Sequence, residues 1–220
     1  LLCIFKLRPQ AVQREAQRNL ASGEVPMGGQ VLAGLKLIAR EPLLRWMTML
    51  CVFGVGVGTL LYNEQAAIVR QFYPDPERAT AYYSAIDLAV NTLTLLVQVL
   101  LTRWLLSRHG IGPAMLLPAI AILVGYCLLA ASPLPLLVAT VQVMTRASEF
   151  SLSKPARETI YTRVGREWRY KAGAAIDTVV YRGGDLTFVW LHKGLSLIGS
   201  RAVFVAGAVV AAIFVASTWQ

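Results

Sequence analysis

Long apolar runs constrain this chain more than any other feature of its sequence. A run of about 20 mostly apolar residues is long enough to cross the hydrocarbon core of a bilayer as a helix. Five such runs cover residues 43–69, 82–106, 115–131, 134–152 and 202–217. A sixth, residues 172–198, is interrupted by charged side chains. The pattern predicts an all-α, polytopic membrane protein with six transmembrane helices.

The segment before the first span is polar and basic. Residues 1–5, LLCIF, have the character of the last turn of a preceding helix. We therefore expect residues 1–42 to comprise the end of that helix and a cytoplasmic linker. Residues 43–220 then form a C-terminal six-helix transmembrane domain, whose partners are the lipid bilayer and an N-terminal half of the same protein. Pro42 is suited to the start of the first span.

The net charge of +9 is distributed in a way that predicts orientation. Residues 6–45, which form the first connection, hold seven Lys or Arg residues. The third and fifth connections hold two and six, whereas the second, fourth and sixth hold two, none and two. Lys and Arg are enriched in cytoplasmic loops. The loop at 154–171 is therefore expected on the cytoplasmic side and the connection at 70–81 outside. A nucleic-acid partner is not indicated.

Charged residues continue from the 154–171 loop into the apolar runs on either side. Gln142, Arg146 and Glu149 lie at helical spacings of four and three, and Arg182 and Asp185 have the same spacing of three. An ionisable group at membrane depth costs about 2.5–3.5 kcal/mol on insertion scales. We predict that each arginine pairs with the acid of its own helix. Such pairs either bind an anionic substrate, together with Gln142 and Arg157, or lock helices together.

A second polar stripe runs along the second span. Asp87, Asn91 and Gln98 share one helical face, which must contact protein or water. Asp87 is a candidate for binding a coupling ion, and interhelical hydrogen bonding is the alternative. Glu64, in the first span, is a second candidate that either faces an aqueous cavity or lies near the outer surface.

Several other motifs favour structural roles. The sequence GVGVGT at 54–59 lacks the GK[ST] ending of a phosphate-binding loop, so Gly54 and Gly58 are expected to allow close helix packing. The three cysteines are far apart and have no metal-ligand spacing. We expect no metal, no cofactor and no enzymatic activity.

The loop after the fourth span carries residues typical of a known family. Phe150-Ser151-Leu152, Pro155 and Arg157-Glu158 are followed by Tyr161. The matching residues further along are Glu167, Arg169, Lys171, Ala174-Ala175-Ile176-Asp177, Arg182 and Gly184. In these residues the chain resembles the ATP/ADP carrier (nucleotide transporter) family, a branch related to the major-facilitator superfamily.

The resemblance implies a twelve-helix carrier, of which this chain is the second half, with a substrate site between the halves. Three positions differ from the family pattern. Asp185 replaces a lysine, Lys154 replaces an acid and Ala156 replaces a threonine. These changes alter the charge along the expected substrate path.

The first functional hypothesis is a secondary active transporter of the major-facilitator type in a bacterial inner membrane. It would move a small anionic solute, a nucleotide being one candidate, by alternating access. The second hypothesis is a non-transporting membrane scaffold or sensor with the same fold, in which the charged pairs are static.

Overall fold

The computed structural model describes the backbone of residues 32–162 and 166–219. Side chains are described for residues 34–160 and 170–218. The expected helix end at residues 1–5, most of the 1–42 linker, and the side chains of Tyr161, Glu167 and Arg169 lie outside these ranges. Residues 34–220 form one compact unit.

Every element within the described residues is helical. In chain order the α-helices are α1 (Leu32–Arg40), α2 (Pro42–Phe72), α3 (Pro76–Val97), α4 (Arg103–Arg108), α5 (Ile111–Ala131), α6 (Pro135–Ser148), α7 (Lys154–Thr162), α8 (Arg166–Ala175), α9 (Tyr181–Ser196) and α10 (Ser200–Trp219). The all-α class predicted from hydropathy is therefore confirmed for the described residues.

Within the described residues, four helical segments are long and apolar enough to cross a membrane. They are Pro42–Phe72, Pro76–Arg108, Ile111–Ala131 and Ser200–Thr218. Helices also occupy the two remaining expected spans, residues 134–152 and 172–198. Charged residues interrupt both of these helices, so the expectation of six transmembrane helices stays a prediction.

Local sequence explains where these helices begin and end. Prolines open α2, α3 and α6, at positions where a missing N–H costs no helical hydrogen bond. The Asp75 side chain caps α3 by accepting from the Glu77 N–H at 3.2 Å. Gly110, with φ of 83°, forms the turn after α4, a conformation that favours glycine.

The main core surrounds Tyr126 on α5, which is fully buried against Phe204 on α10. Its hydroxyl donates to the Val57 carbonyl on α2 at 2.5 Å. Gly207 lies directly against the Tyr126 ring, and a Cβ at this position would overlap it. The three helices α2, α5 and α10 thus pack closely through one aromatic side chain.

In the described ranges, three π-helical turns interrupt the long helices. They are Gln98–Thr102 between α3 and α4, Glu149–Ser153 between α6 and α7, and Ile176–Val180 between α8 and α9. The first two lie side by side. The Gln98 amide donates to the Phe150 carbonyl at 3.1 Å, and the Thr102 hydroxyl donates to the Ser151 carbonyl at 2.8 Å. Side chains of one π turn therefore satisfy carbonyls of the other.

The exterior is strongly apolar. Leu88, Leu100, Leu136 and Trp190 are each more than two-thirds exposed. Continuous exposed apolar surface marks sites of membrane or protein contact. Together with the four long apolar helices, this exterior describes a multi-pass membrane protein.

Candidate functional site

A cavity of about 510 Å³ lies between α2, α9 and the junction of α6 with α7. Its walls are mostly apolar. The polar and charged side chains that line it include Cys51, Thr59 and Asn63 from α2, Glu149 and Ser153 from the second π turn, Arg157 from α7, and Tyr181 and Asp185 from α9. A concave apolar site with a few converging polar groups is the usual form of a small-molecule site.

The second π turn positions one side of the cavity. Glu149 is its first residue and Ser153 its last, and both line the cavity. Arg157 follows one turn later on α7, on the same side. π-Helical turns are frequent at functional sites because the extra residue redirects neighbouring side chains.

Arg157 is the cation of the cavity. Its guanidinium donates to the Tyr181 hydroxyl and to the Cys51 sulfur, the latter at 3.5 Å. Its Nε is buried and has no hydrogen-bond acceptor. Glu149 lies within electrostatic range of the same guanidinium. The arginine therefore connects three elements and keeps unused donor capacity.

Arg157 stays protonated and therefore positively charged. The residue lies on α7, outside the four apolar spans. Burial lowers the pKa of its guanidinium, but Cys51 and Tyr181 raise it, and the net shift is upward. An arginine is not deprotonated under these conditions, so the cavity holds a permanent positive charge.

Asp185 forms a second charged point of the cavity. Its Oδ1 accepts from the Thr59 hydroxyl at 2.7 Å. Asn63, one turn further along α2, donates its amide to the Thr59 carbonyl at 2.8 Å. Asp185 is half-buried, and the contact with Thr59 fixes the position of α9 relative to α2.

The predicted pairs within helices are wrong. Arg146 pairs with Asp87 of α3 at 2.6 Å instead of Glu149. Arg182 makes no ion pair with Asp185, which is bonded to Thr59 instead. Side chains three residues apart diverge by about 60° around a helix, so a partner on a neighbouring helix can replace the local one. Arg182 is exposed and lies outside the cavity lining.

The remaining predicted residues are dispersed. Gln142 is buried, and its Oε1 has no hydrogen-bond partner. The Arg146–Asp87 pair is partly exposed, with 40% and 58% of the two side chains accessible. The structure thus brings together Glu149, Arg157 and Asp185, but not Gln142, Arg146 or Arg182.

Glu64 forms a buried pair that sequence reasoning missed. Its carboxylate lies 2.9 Å from Nε2 of His192 on α9, and both side chains are largely buried. Tyr181, which was also missed, is four residues before Asp185, and His192 is seven after it. These spacings place Tyr181, Asp185 and His192 on one face of α9. That shared face is the sequence signal from which Tyr181 and His192 could have been predicted.

The expected packing role of two glycines also needs correction. A Cβ at Gly58 would have no neighbour within 4 Å, and one at Gly54 would make only ordinary contact with Phe214. Both residues line the cavity. Gly56 is the position at which α2 approaches a neighbour closely, because a Cβ there would overlap the Phe188 ring of α9.

No side-chain group suited to a metal ion occurs in the part of the chain that the structure describes. There, no three His, Cys, Asp or Glu residues are clustered in a way that could hold one. The described residues of the site comprise one arginine, two acids, four hydroxyl-bearing side chains and a largely apolar wall.

Comparison with known proteins finds similarity to a transporter. The chain is 23% identical over 169 residues to the plastidic ATP/ADP-transporter of Solanum tuberosum. The aligned part is 67% of this chain, which spans about a quarter (26%) of the length of that relative. No family model matches the chain, and no solved structure matches it.

Proposed function

We propose that this chain is part of a secondary active transporter that moves a small solute with an anionic group by alternating access. The observation that carries the proposal is the cavity with the charged, incompletely satisfied Arg157. Similarity to the plant transporter supports the transport class. The six helices would form one half of a major-facilitator-type carrier, placed in a bacterial inner membrane.

The mechanism follows from how the charges of the cavity compensate one another. In the absence of solute, Glu149 partly neutralises Arg157. An incoming anion competes with Glu149 for the guanidinium, so the buried positive charge is compensated in both states. A solute can shift a conformational equilibrium only by its different affinity for the two states. The exchange of Glu149 for solute supplies such a difference.

Glu64 and Asp87 are the proposed positions for a coupling proton. Glu64 is the better placed, because it is buried beside His192, a second group that binds protons. Asp87 is held by Arg146 and is more exposed. If Glu64 carries the proton, Glu64→Gln will abolish the stimulation of uptake by a pH gradient, whereas Asp87→Asn will retain it. The opposite result would assign coupling to Asp87.

The test of the transport proposal uses the full-length protein in proteoliposomes. Radiolabelled ATP and ADP and a panel of organic anions are supplied outside, and uptake or solute-dependent current is recorded. We expect Arg157→Gln to abolish the signal and Arg157→Lys to weaken it, because lysine lacks the planar donor fork of arginine. Arg201→Gln, at an exposed position on α10, is the matched control.

Two results would contradict the proposal. Full activity of Arg157→Gln at normal membrane levels would remove Arg157 from the site. Binding of a solute to the purified protein without any flux would favour the scaffold or sensor hypothesis.

A further inference from the structure

The charges that the described residues of this chain place in the cavity do not favour a polyanion. Among the described residues that line it, the charged ones are Arg157, Glu149 and Asp185. When all three are ionised, the acids outnumber the cation by one. A polyphosphate in this cavity would be attracted by one arginine and repelled by two carboxylates. A solute that also carries a positive group would match the lining better.

The positive and negative points of the cavity are separated. Arg157 contacts Cys51 on α2, whereas Asp185 contacts Thr59, eight residues further along the same helix. On α9, Tyr181 beside Arg157 is four residues from Asp185. At 1.5 Å per residue, these intervals correspond to roughly 6–12 Å along the helix axes. One small molecule can therefore contact both points.

Asp185 has capacity for a ligand. Among the described residues, its side-chain donor is the Thr59 hydroxyl, which bonds one of its two oxygens. An ionised carboxylate offers about four acceptor positions. Because a hydroxyl donor does not neutralise the carboxylate, the negative charge is left for a cation that enters the cavity.

Much of the cavity wall is apolar. Leu50, Val55, Val189 and Phe214 are among the side chains that line it. An aliphatic or aromatic segment of a solute would bury its surface there without leaving polar groups unpaired.

We infer that the solute is a zwitterion with an apolar middle. Its anionic group binds at Arg157, and its ammonium group binds at Asp185. The inference rests on the transport function proposed above and specifies the substrate class of the same site.

The test compares three small probes of similar length on the detergent-purified full-length protein. ε-Aminocaproate carries both charges, caproate only the anionic one, and hexylamine only the cationic one. Binding is measured from the rise in melting temperature with probe concentration, since a ligand that binds the native state stabilises it. We expect ε-aminocaproate to bind about tenfold more tightly than either single-charge probe, as for one added charge-assisted hydrogen bond.

Two variants that each remove one charge assign the two ends of the solute. Asp185→Asn should bring the affinity for ε-aminocaproate down to that for caproate and leave caproate binding unchanged. Arg157→Gln should bring it down to that for hexylamine. Glu77→Gln, in the first turn of α3 and far from the cavity lining, should alter none of the three affinities.

The outcomes separate this inference from the transport proposal. If caproate binds as tightly as ε-aminocaproate and depends on Arg157, the zwitterion is wrong but an anion-binding transporter remains. If none of the probes stabilises the wild-type protein, the zwitterion is also overturned, and solute flux in proteoliposomes alone decides the transport function. Retention of the preference for ε-aminocaproate in Asp185→Asn would also overturn the assignment.

Discussion

The two faces of α2 differ in what lies against them. On one face, Gly56 meets the Phe188 ring and the Val57 carbonyl accepts from Tyr126. On the other face, Gly58 and Thr59 border the cavity, with open space at Gly58. One helix therefore uses glycine for close contact on one face and for open volume on the other. The meaning of a glycine in a membrane helix depends on the neighbouring helix more than on the local motif.

The largest effect on stability is expected in the packed core. Gly207→Ala should destabilise the protein by about 1–3 kcal/mol, the usual cost of overpacking, because the new methyl group would overlap the Tyr126 ring. The melting temperature of the purified protein in detergent measures this effect. An unchanged melting temperature would mean that α10 moves away from α5 at little cost, and the contrast between core and cavity would fail.

A smaller effect is expected from the hydroxyl group in the same core. Tyr126→Phe keeps the ring and removes the hydrogen bond to the Val57 carbonyl. We expect a loss of about 1 kcal/mol, as for one intramolecular hydrogen bond. Thermal unfolding again measures it. A loss as large as that of Gly207→Ala would show that the bond, rather than close packing, holds α5 to α2.

The smallest effect on stability is expected at the cavity. Gly58→Ala adds a methyl group where no atom lies within 4 Å. Alanine also favours a helix over glycine by about 1 kcal/mol, so stability should be unchanged or slightly higher. The variant is the matched control for Gly207→Ala. A marked fall in melting temperature would mean that the cavity closes around Gly58 in solution.

Hydropathy and proline positions predicted the helices well. Apolar runs and prolines are local signals, so the start of α2 at Pro42 followed from the sequence. The resemblance singled out Arg157, and the charges within the apolar runs singled out Glu149 and Asp185. All three line the cavity.

Pairing between helices was much less predictable. Spacing along one helix indicates a shared face, but it does not say which neighbour covers that face. Arg146 therefore paired with Asp87, and Asp185 with Thr59, across helices that are distant in sequence. The Glu64–His192 contact spans 128 positions, and no local pattern contains it.

At the π turn Glu149–Ser153, the number of residues in the turn matters as much as their identity. Each residue of an α-helix turns the chain by about 100°. Deleting one residue from this turn would leave the lining side chains before it in place and rotate everything after it. Arg157 would then leave the cavity, although no charged residue had been replaced. Deleting one codon here therefore differs from a point substitution. The deletion keeps every charged residue of the site but moves the side chains after the turn out of the positions in which they face the cavity.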